Sequence, residues 1–348
     1  MLKETRSLEL KEAITFDDVL LAPQLSDITS RTEVDLSTFI YTSSTDVTYA
    51  KFDLPIISSP MDTVTEEKMA TCMSKAGGLG IIHRYNTIQA QCEMIGKVQG
   101  AKAAAIGMTG DYRERAAALF EAGARILCID VAHGHHTMME RCLGELKSML
   151  NNSVYIIAGN VATAEGYSDL ADWGADCVRV GIGGGSICST RLVSGHGVPT
   201  LQSVIECYHE NRAADIIADG GIKTSGDMVK AFAAGADFVM IGSLLAGTSA
   251  TPGEVFHGSE GKSYKVYRGM ASSAAQKDWR GKSSSPEGIS TTVPYKGSTE
   301  DILADLKGGI QSGCSYSGAF NLGLLRANCE FIRQTSAGQN ESYTHILR

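Results

Sequence analysis

The chain has 348 residues, enough for one large domain or two ordinary ones, since an α/β barrel alone runs to about 250 residues. A net charge of −8 with 43% hydrophobic residues describes a soluble globular protein without the basic stripe that nucleic-acid binding requires. No apolar run approaches the roughly 18 residues needed to span a bilayer, and the charged start MLKETRSLELKEA is no signal-peptide core, so a cytoplasmic location is expected.

Residues 1–50 carry short β-like runs (ITFDDVLLAP, TEVDLSTFIY) and read as an N-terminal arm and cap. From Leu54 a rhythm begins, with apolar, β-branched runs at 54–60, 78–84, 101–108, 125–132, 154–160, 177–183, 216–222 and 238–244. The segments between them carry helical patterning and several end in Gly at a C-cap position, for example EEKMATCMSKAG and SGDMVKAFAAGA. Eight almost continuously apolar strands alternating with helices predict a (β/α)8 TIM barrel in one catalytic domain, ahead of a doubly wound sheet. Residues 247–297 interrupt the rhythm as a long polar excursion after strand eight, expected to be a lid or disordered. Residues 330–348 read as a strand and a polar tail.

Chemistry in such barrels sits at the C-terminal strand ends. Those ends carry Ser59, Met61 and Asp62; His83 and Arg84; Asp130 and His133; Asn160; the loop from Gly183 to Thr190; Asp219, Gly220 and Gly221; and Gly242 with Ser243. The glycines after strands seven and eight match the usual barrel phosphate site, where backbone N–H groups hold an anion without Lys or Arg. Cys188 follows the strand and glycines of CVRVGIGGGS, which predicts a covalent nucleophile on a backbone free to take φ > 0. The other cysteines, nine in all with Cys188, show no CxxC pairs or zinc spacing and are expected to be mostly buried thiols. Asp130 and Asp219 end apolar strands, where a carboxylate needs a partner or a ligand hydroxyl, and the ligand is preferred for Asp219. Glu287 in the lid reads equally as a solvated charge or a functional acid.

Taken together, ITFDDVLLAP, SSPMDTVTE, GGLGIIHR, AGNVAT, VGIGGGSICSTR, IADGGIKTSGD, MIGSLLAGT, YRGMASSAA, PEGI and TSAGQNES resemble the inosine monophosphate dehydrogenase and guanosine monophosphate reductase superfamily over nearly the whole chain. The resemblance implies that Cys188 attacks purine C2 and that Thr190 and Glu287 handle protons. It places Ser59, Met61, Ser186, Asp219, Gly221, Gly242, Ser243, Tyr267, Gly269 and Met270 on the purine nucleotide, and Asp130, Ala132 and Asn160 on the nicotinamide cofactor. It further implies a monovalent-cation site, K⁺, from the carbonyls of Gly183, Gly185 and Cys188 with Glu341 of a neighbouring subunit, in a homotetramer.

Three features resemble the reductase branch: no regulatory insertion between Arg84 and Ala101, a short lid without the dehydrogenases' Arg-Tyr pair, and DVA at 130–132. SSPMDTVTE, Arg179 and the TSAGxxES tail resemble the dehydrogenases, and Ser284 stands where short reductases place an arginine. The expected activity is NADPH-dependent reduction of GMP to IMP, with NAD-dependent oxidation of IMP as the alternative.

Overall fold

The computed structural model describes residues 10–41, 48–258 and 261–343, so the start of the expected arm and the last five residues of the tail lie outside the described residues. Eight parallel strands close into a barrel: β1 (Ile56–Ser58), β2 (Leu79–Ile82), β3 (Ala103–Ile106), β4 (Ile126–Asp130), β5 (Tyr155–Val161), β6 (Cys177–Val180), β7 (Asp215–Asp219) and β8 (Phe238–Ile241). Each overlaps the apolar run expected for it. Closure comes from β8 pairing with β1, with Val239 opposite Ile56 and Met240 opposite Ile57.

The strand period of two divides the core. Ile57, Ile81, Cys128, Ile157, Ile217 and Met240 fill the barrel interior, while their neighbours Ile56, Ile82, Leu127, Ile156, Ile216 and Val239 pack outward beneath the helices. Because both faces are buried, the strands are apolar without alternation, as a parallel sheet requires.

The outer ring consists of α1 (Glu67–Lys75), α2 (Ile88–Lys97), α3 (Tyr112–Glu121), α4 (Thr137–Met149), α5 (Ala164–Asp172), α6 (Thr200–His209), α7 (Ser225–Ala233) and α8 (Thr299–Tyr316). Thr87, Thr163 and Thr224 cap the N-termini of α2, α5 and α7 with their hydroxyls. Gly77 and Gly235 stop α1 and α7 at φ +86° and +117°, where a side chain would be strained.

The arm is partly structural cement. Its strand Val19–Leu21 pairs antiparallel with Phe331–Arg333. The hairpin Thr38–Tyr41/Thr48–Phe52 packs Ile40 and Phe52 into the barrel interior, with Phe52 edge-on to Phe238. Two expectations are refined. The described part of the tail continues past its strand into a helix, Ser336–Glu341, capped by Thr335. The excursion after β8 is folded: Phe256–His257, Ser263–Arg268 and Ser290–Pro294 form an antiparallel sheet, and Ser273–Arg280 a helix. Among the described residues no helix is long and apolar enough to cross a membrane.

Candidate active site

A cavity of about 390 Å³ opens at the C-terminal ends of the strands, within the size range of small-molecule sites. Every substrate, cofactor and catalytic residue expected from the sequence lines it, from Ser59 and Met61 through Glu287. Of the cation set, Gly183, Gly185 and Cys188 line it, while Glu341 sits outside the cavity wall of its own subunit.

The loop after β6 is shaped by close packing. Gly181 and Gly183 use the freedom expected of the loop, at φ of +147° and +81°, whereas Gly184 and Gly185 do not. Gly184 is needed for space instead: a Cβ there would lie 2.7 Å from Thr200 Oγ1. A Cβ on Gly181 would lie 1.9 Å from the carbonyl oxygen of Asp219.

Cys188 is the exposed member of the nine cysteines, and all nine are free thiols. Burial pushes the Cys128, Cys142 and Cys207 thiols up to about 12, which keeps them protonated and inert. Cys188 Sγ donates to Thr190 Oγ1 at 3.1 Å, and Thr190 Oγ1 donates to Glu287 Oε2 at 2.7 Å. The backbone holds this arrangement in place, because Ser189 N donates to Glu287 O at 2.9 Å and Ile289 N to Ile187 O at 3.1 Å. Glu287 is thus a member of the site and not a solvated charge.

At the ends of β7 and β8 the backbone presents unspent donors. Among the described residues, no protein acceptor takes the N–H of Gly221, Ile222, Ser243 or Leu244. Converging amides of this kind bind anions. Gly242 sits in a tight corner: a Cβ there would crowd Tyr267 Oη at 3.1 Å, Met61 Sδ at 3.3 Å and Ser59 Oγ at 3.4 Å. One corner therefore gathers four of the expected nucleotide residues. The Ser186 hydroxyl lies 3.5 Å from that of buried Tyr267. Met270 Sδ accepts from Asp62 N at 3.3 Å, and Gly269 N is tied to Ile289 O at 3.0 Å, so the lid's own residues complete the wall.

Sequence reasoning missed how Asp130 and Asp219 are supported. Arg179, 6% exposed on β6, directs Nη1 to Asp130 Oδ1 at 2.5 Å and Nη2 to Asp219 Oδ2 at 2.9 Å. Asn160 Nδ2 also donates to Asp219 Oδ2, at 2.8 Å, and to Gly181 O at 2.7 Å. Asp219 therefore has protein partners on one oxygen, where a ligand had been expected to provide for it. The available signal was an arginine inside the apolar run CVRVGIG, which had to face the barrel axis or break the strand's burial.

Arg84 completes the opposite wall. Its Nε donates to Asp130 O at 3.2 Å, and neither terminal nitrogen has a hydrogen-bond acceptor among the described residues. Its guanidinium lies 5.4 Å over the Tyr85 ring, which stacks at 5.7 Å and 16° on Trp279 of the lid helix. Arg268 further ties the lid to the barrel through Asp62 at 2.6 Å. His83 is a satisfied strand-end residue, accepting from Tyr85 N at 3.2 Å and meeting Glu66 at 3.3 Å.

The description "IMP dehydrogenase / GMP reductase domain" belongs to the family model that matches residues 13–345. An inosine-5'-monophosphate dehydrogenase of Borreliella burgdorferi is 38% identical, with 96% of this chain and 97% of the relative covered. A GMP reductase of Leishmania major is 32% identical, with coverages of 97% and 98%. A crystal structure of a GMP reductase from Trypanosoma brucei in complex with guanosine 5'-monophosphate matches with a TM-score of 0.89 at 30% identity, covering 97% of this chain and 98% of that one. A (β/α)8 barrel with a cysteine loop and unpaired amides at the ends of β7 and β8, matched over nearly its full length, thus belongs to the IMP dehydrogenase / GMP reductase family of purine nucleotide oxidoreductases.

Proposed function

We propose that this family member is a GMP reductase, converting GMP to IMP and ammonia with NADPH. The observation that carries this reading is the short folded lid, which brings Glu287 onto Thr190 beside Cys188. No Arg-Tyr pair, the water-activating feature expected of a dehydrogenase lid, occurs between Met270 and Glu287.

The donors run in one direction, from Sγ to Thr190 Oγ1 to Glu287. As Cys188 Sγ bonds to purine C2, its proton passes through Thr190 to the Glu287 carboxylate, leaving the electron pair on sulfur for the new bond. The proton returns by the same path to the exocyclic amine, whose bond to C2 breaks as ammonia departs. Cys188 is then joined to C2 as a thioimidate. A bound reduced nicotinamide supplies the hydride that C2 requires. The C2–S bond breaks with its electron pair returning to sulfur, which takes up a proton, and IMP is free.

The amides of Gly221 and Ser243, the hydroxyls of Ser186, Ser243 and Tyr267, and the Asp219 carboxylate would hold the phosphate and ribose. Ser59, Met61, Gly242, Gly269 and Met270 would flank the ligand. Asp130, Ala132 and Asn160 fit the nicotinamide end of a dinucleotide, since they share the cavity with Cys188 and with Arg84, whose unspent terminal donors suit an anionic cofactor. The carbonyls of Gly183, Gly185 and Cys188 suit a weakly hydrated cation such as K⁺, with Gly185 O also accepting from Cys188 N at 3.1 Å. Glu341 of a second copy would complete that set in a homotetramer.

A second reading, NAD-dependent oxidation of IMP, is favoured by Arg179 in the dehydrogenase-like position and by a Thr190–Glu287 pair equally able to activate water. Purified protein is assayed with GMP plus NADPH, and separately with IMP plus NAD⁺, by absorbance of the reduced nicotinamide. NADPH consumption dependent on GMP is expected; NADH formation from IMP without it would overturn the reductase reading.

A further inference from the structure

Outside the cavity, the turn and loop that follow β8 have their carbonyls taken by lysines from three separate segments. Lys296 Nζ donates to Ser243 O at 2.7 Å and to Leu244 O at 3.1 Å. Lys68 Nζ, on α1, donates to Ser249 O at 2.9 Å. Lys265 Nζ, on the lid strand and 4% exposed, donates to Thr251 O at 2.6 Å. None of these three ammonium groups forms an ion pair with a carboxylate among the described residues, so their charge is spent on backbone dipoles.

The consequence for the turn follows from peptide planarity. Carbonyl and N–H across one peptide bond point in opposite directions, so drawing Ser243 O toward Lys296 turns the Leu244 N–H away from it. Gly242 and Ser243 line the cavity whereas Leu244 and Lys296 do not, so the ammonium holds the turn from outside the cavity while the Ser243 N–H, on the preceding peptide, stays unspent. Lys296 also lies two residues beyond the last lid strand, and its own N–H donates to Gly247 O at 2.8 Å. The lid and the anion cup therefore share one anchor.

We propose that Lys296 is a positioning residue for phosphate recognition: its ammonium fixes the Ser243 and Leu244 carbonyls from outside the cavity, holding Ser243 at the wall with its N–H unspent, and its charge polarises the turn toward a dianion. This rests on the purine nucleotide reading of the site. It makes the enzyme's preference for a 5'-monophosphate over the bare nucleoside depend on a residue that never touches the ligand.

The test is the ratio of binding affinities for GMP and guanosine, and for IMP and inosine, measured by calorimetry on the wild type, Lys296→Met and Lys296→Arg. Lys296→Met is expected to lower the monophosphate-to-nucleoside ratio about tenfold, the scale of a lost charge-assisted hydrogen bond, while nucleoside affinity stays within about twofold. Lys296→Arg should recover most of the ratio, because it restores the cation and its donors. A general loosening of the fold would weaken nucleoside and nucleotide alike and leave the ratio in place. An unchanged ratio in a folded Lys296→Met overturns the proposal alone. A wild type with no preference for either monophosphate overturns it together with the nucleotide reading beneath it.

Discussion

Thr190 Oγ1 and Glu287 Oε2 meet at 2.7 Å although 97 residues separate them, one on the loop after β6 and the other in the lid after β8. The contact ties the cysteine loop to lid position. The short backbone ladder between the two loops keeps the carboxylate within one hydroxyl of the Cys188 thiol, so a lid displaced from this position would also withdraw the carboxylate.

Replacing the nucleophile should separate binding from chemistry. Cys188→Ala is expected to abolish turnover while nucleotide affinity, followed by calorimetry, stays within about an order of magnitude. Retained turnover would reject a covalent route.

Glu287→Gln keeps the shape of the side chain and its contact with Thr190, but removes the proton acceptor. A loss of about 10²–10⁴ in kcat with little change in KM is expected, the usual scale of general acid–base catalysis. Steady-state kinetics check it, and a kcat within about threefold of the wild type would remove Glu287 from the proton path.

Arg179→Met leaves Asp130 and Asp219 facing each other without their shared cation. Removing one partner of a buried ion pair costs about 3–5 kcal/mol, so a marked fall in denaturation midpoint is expected, with partial recovery in Arg179→Lys. A fall matched in full by Arg179→Lys would assign the effect to packing of the guanidinium and not to the charge.

On the barrel floor, burial first and Asp237 second raise the Asp215 carboxyl to about 7. Asp215 accepts from the Tyr155 hydroxyl, whereas Asp176 pairs with Lys147 and Asp237 with Arg326. The folded value lies above the unfolded one, so the folded state binds this proton more tightly. That stabilisation is complete below the unfolded value near ~3.9 and is lost as pH rises through about 7. Urea midpoints across neutral pH should therefore decline for the wild type and decline less for Asp215→Asn. Parallel curves would show that another group sets the slope.

The barrel was legible because its signal is local. A parallel strand buried on both faces must be apolar throughout, and a helix capped by Thr and stopped by Gly announces both of its ends, so eight strands and their order could be counted in the sequence. Cys188 was legible for the same reason, as a thiol placed among glycines at a strand end. Arg179 could be seen but not interpreted, since its partners lie 49 and 40 residues away in the chain and meet it only when β4, β6 and β7 share a barrel mouth. Lys296 gave no signal, because a lysine after a strand is ordinarily a solvated charge and its role depends on which carbonyls the closed fold turns toward it.

The lid marks the same boundary. Its polar, glycine-rich composition carries no strong period, which left open whether it folds and whether Glu287 is exposed or employed. Those answers come from antiparallel pairing over long sequence separation, Arg268 on Asp62 and Trp279 on Tyr85, contacts that exist only once the barrel supplies the other half. By itself the sequence determined the barrel and pointed to Cys188 and the glycine turns after β7 and β8 as candidate site elements, because each is written in a few consecutive residues. Only the tertiary structure decided how the two aspartates are held, where Glu287 sits and which lysine holds the turn after β8, because those depend on contacts between residues far apart in the chain.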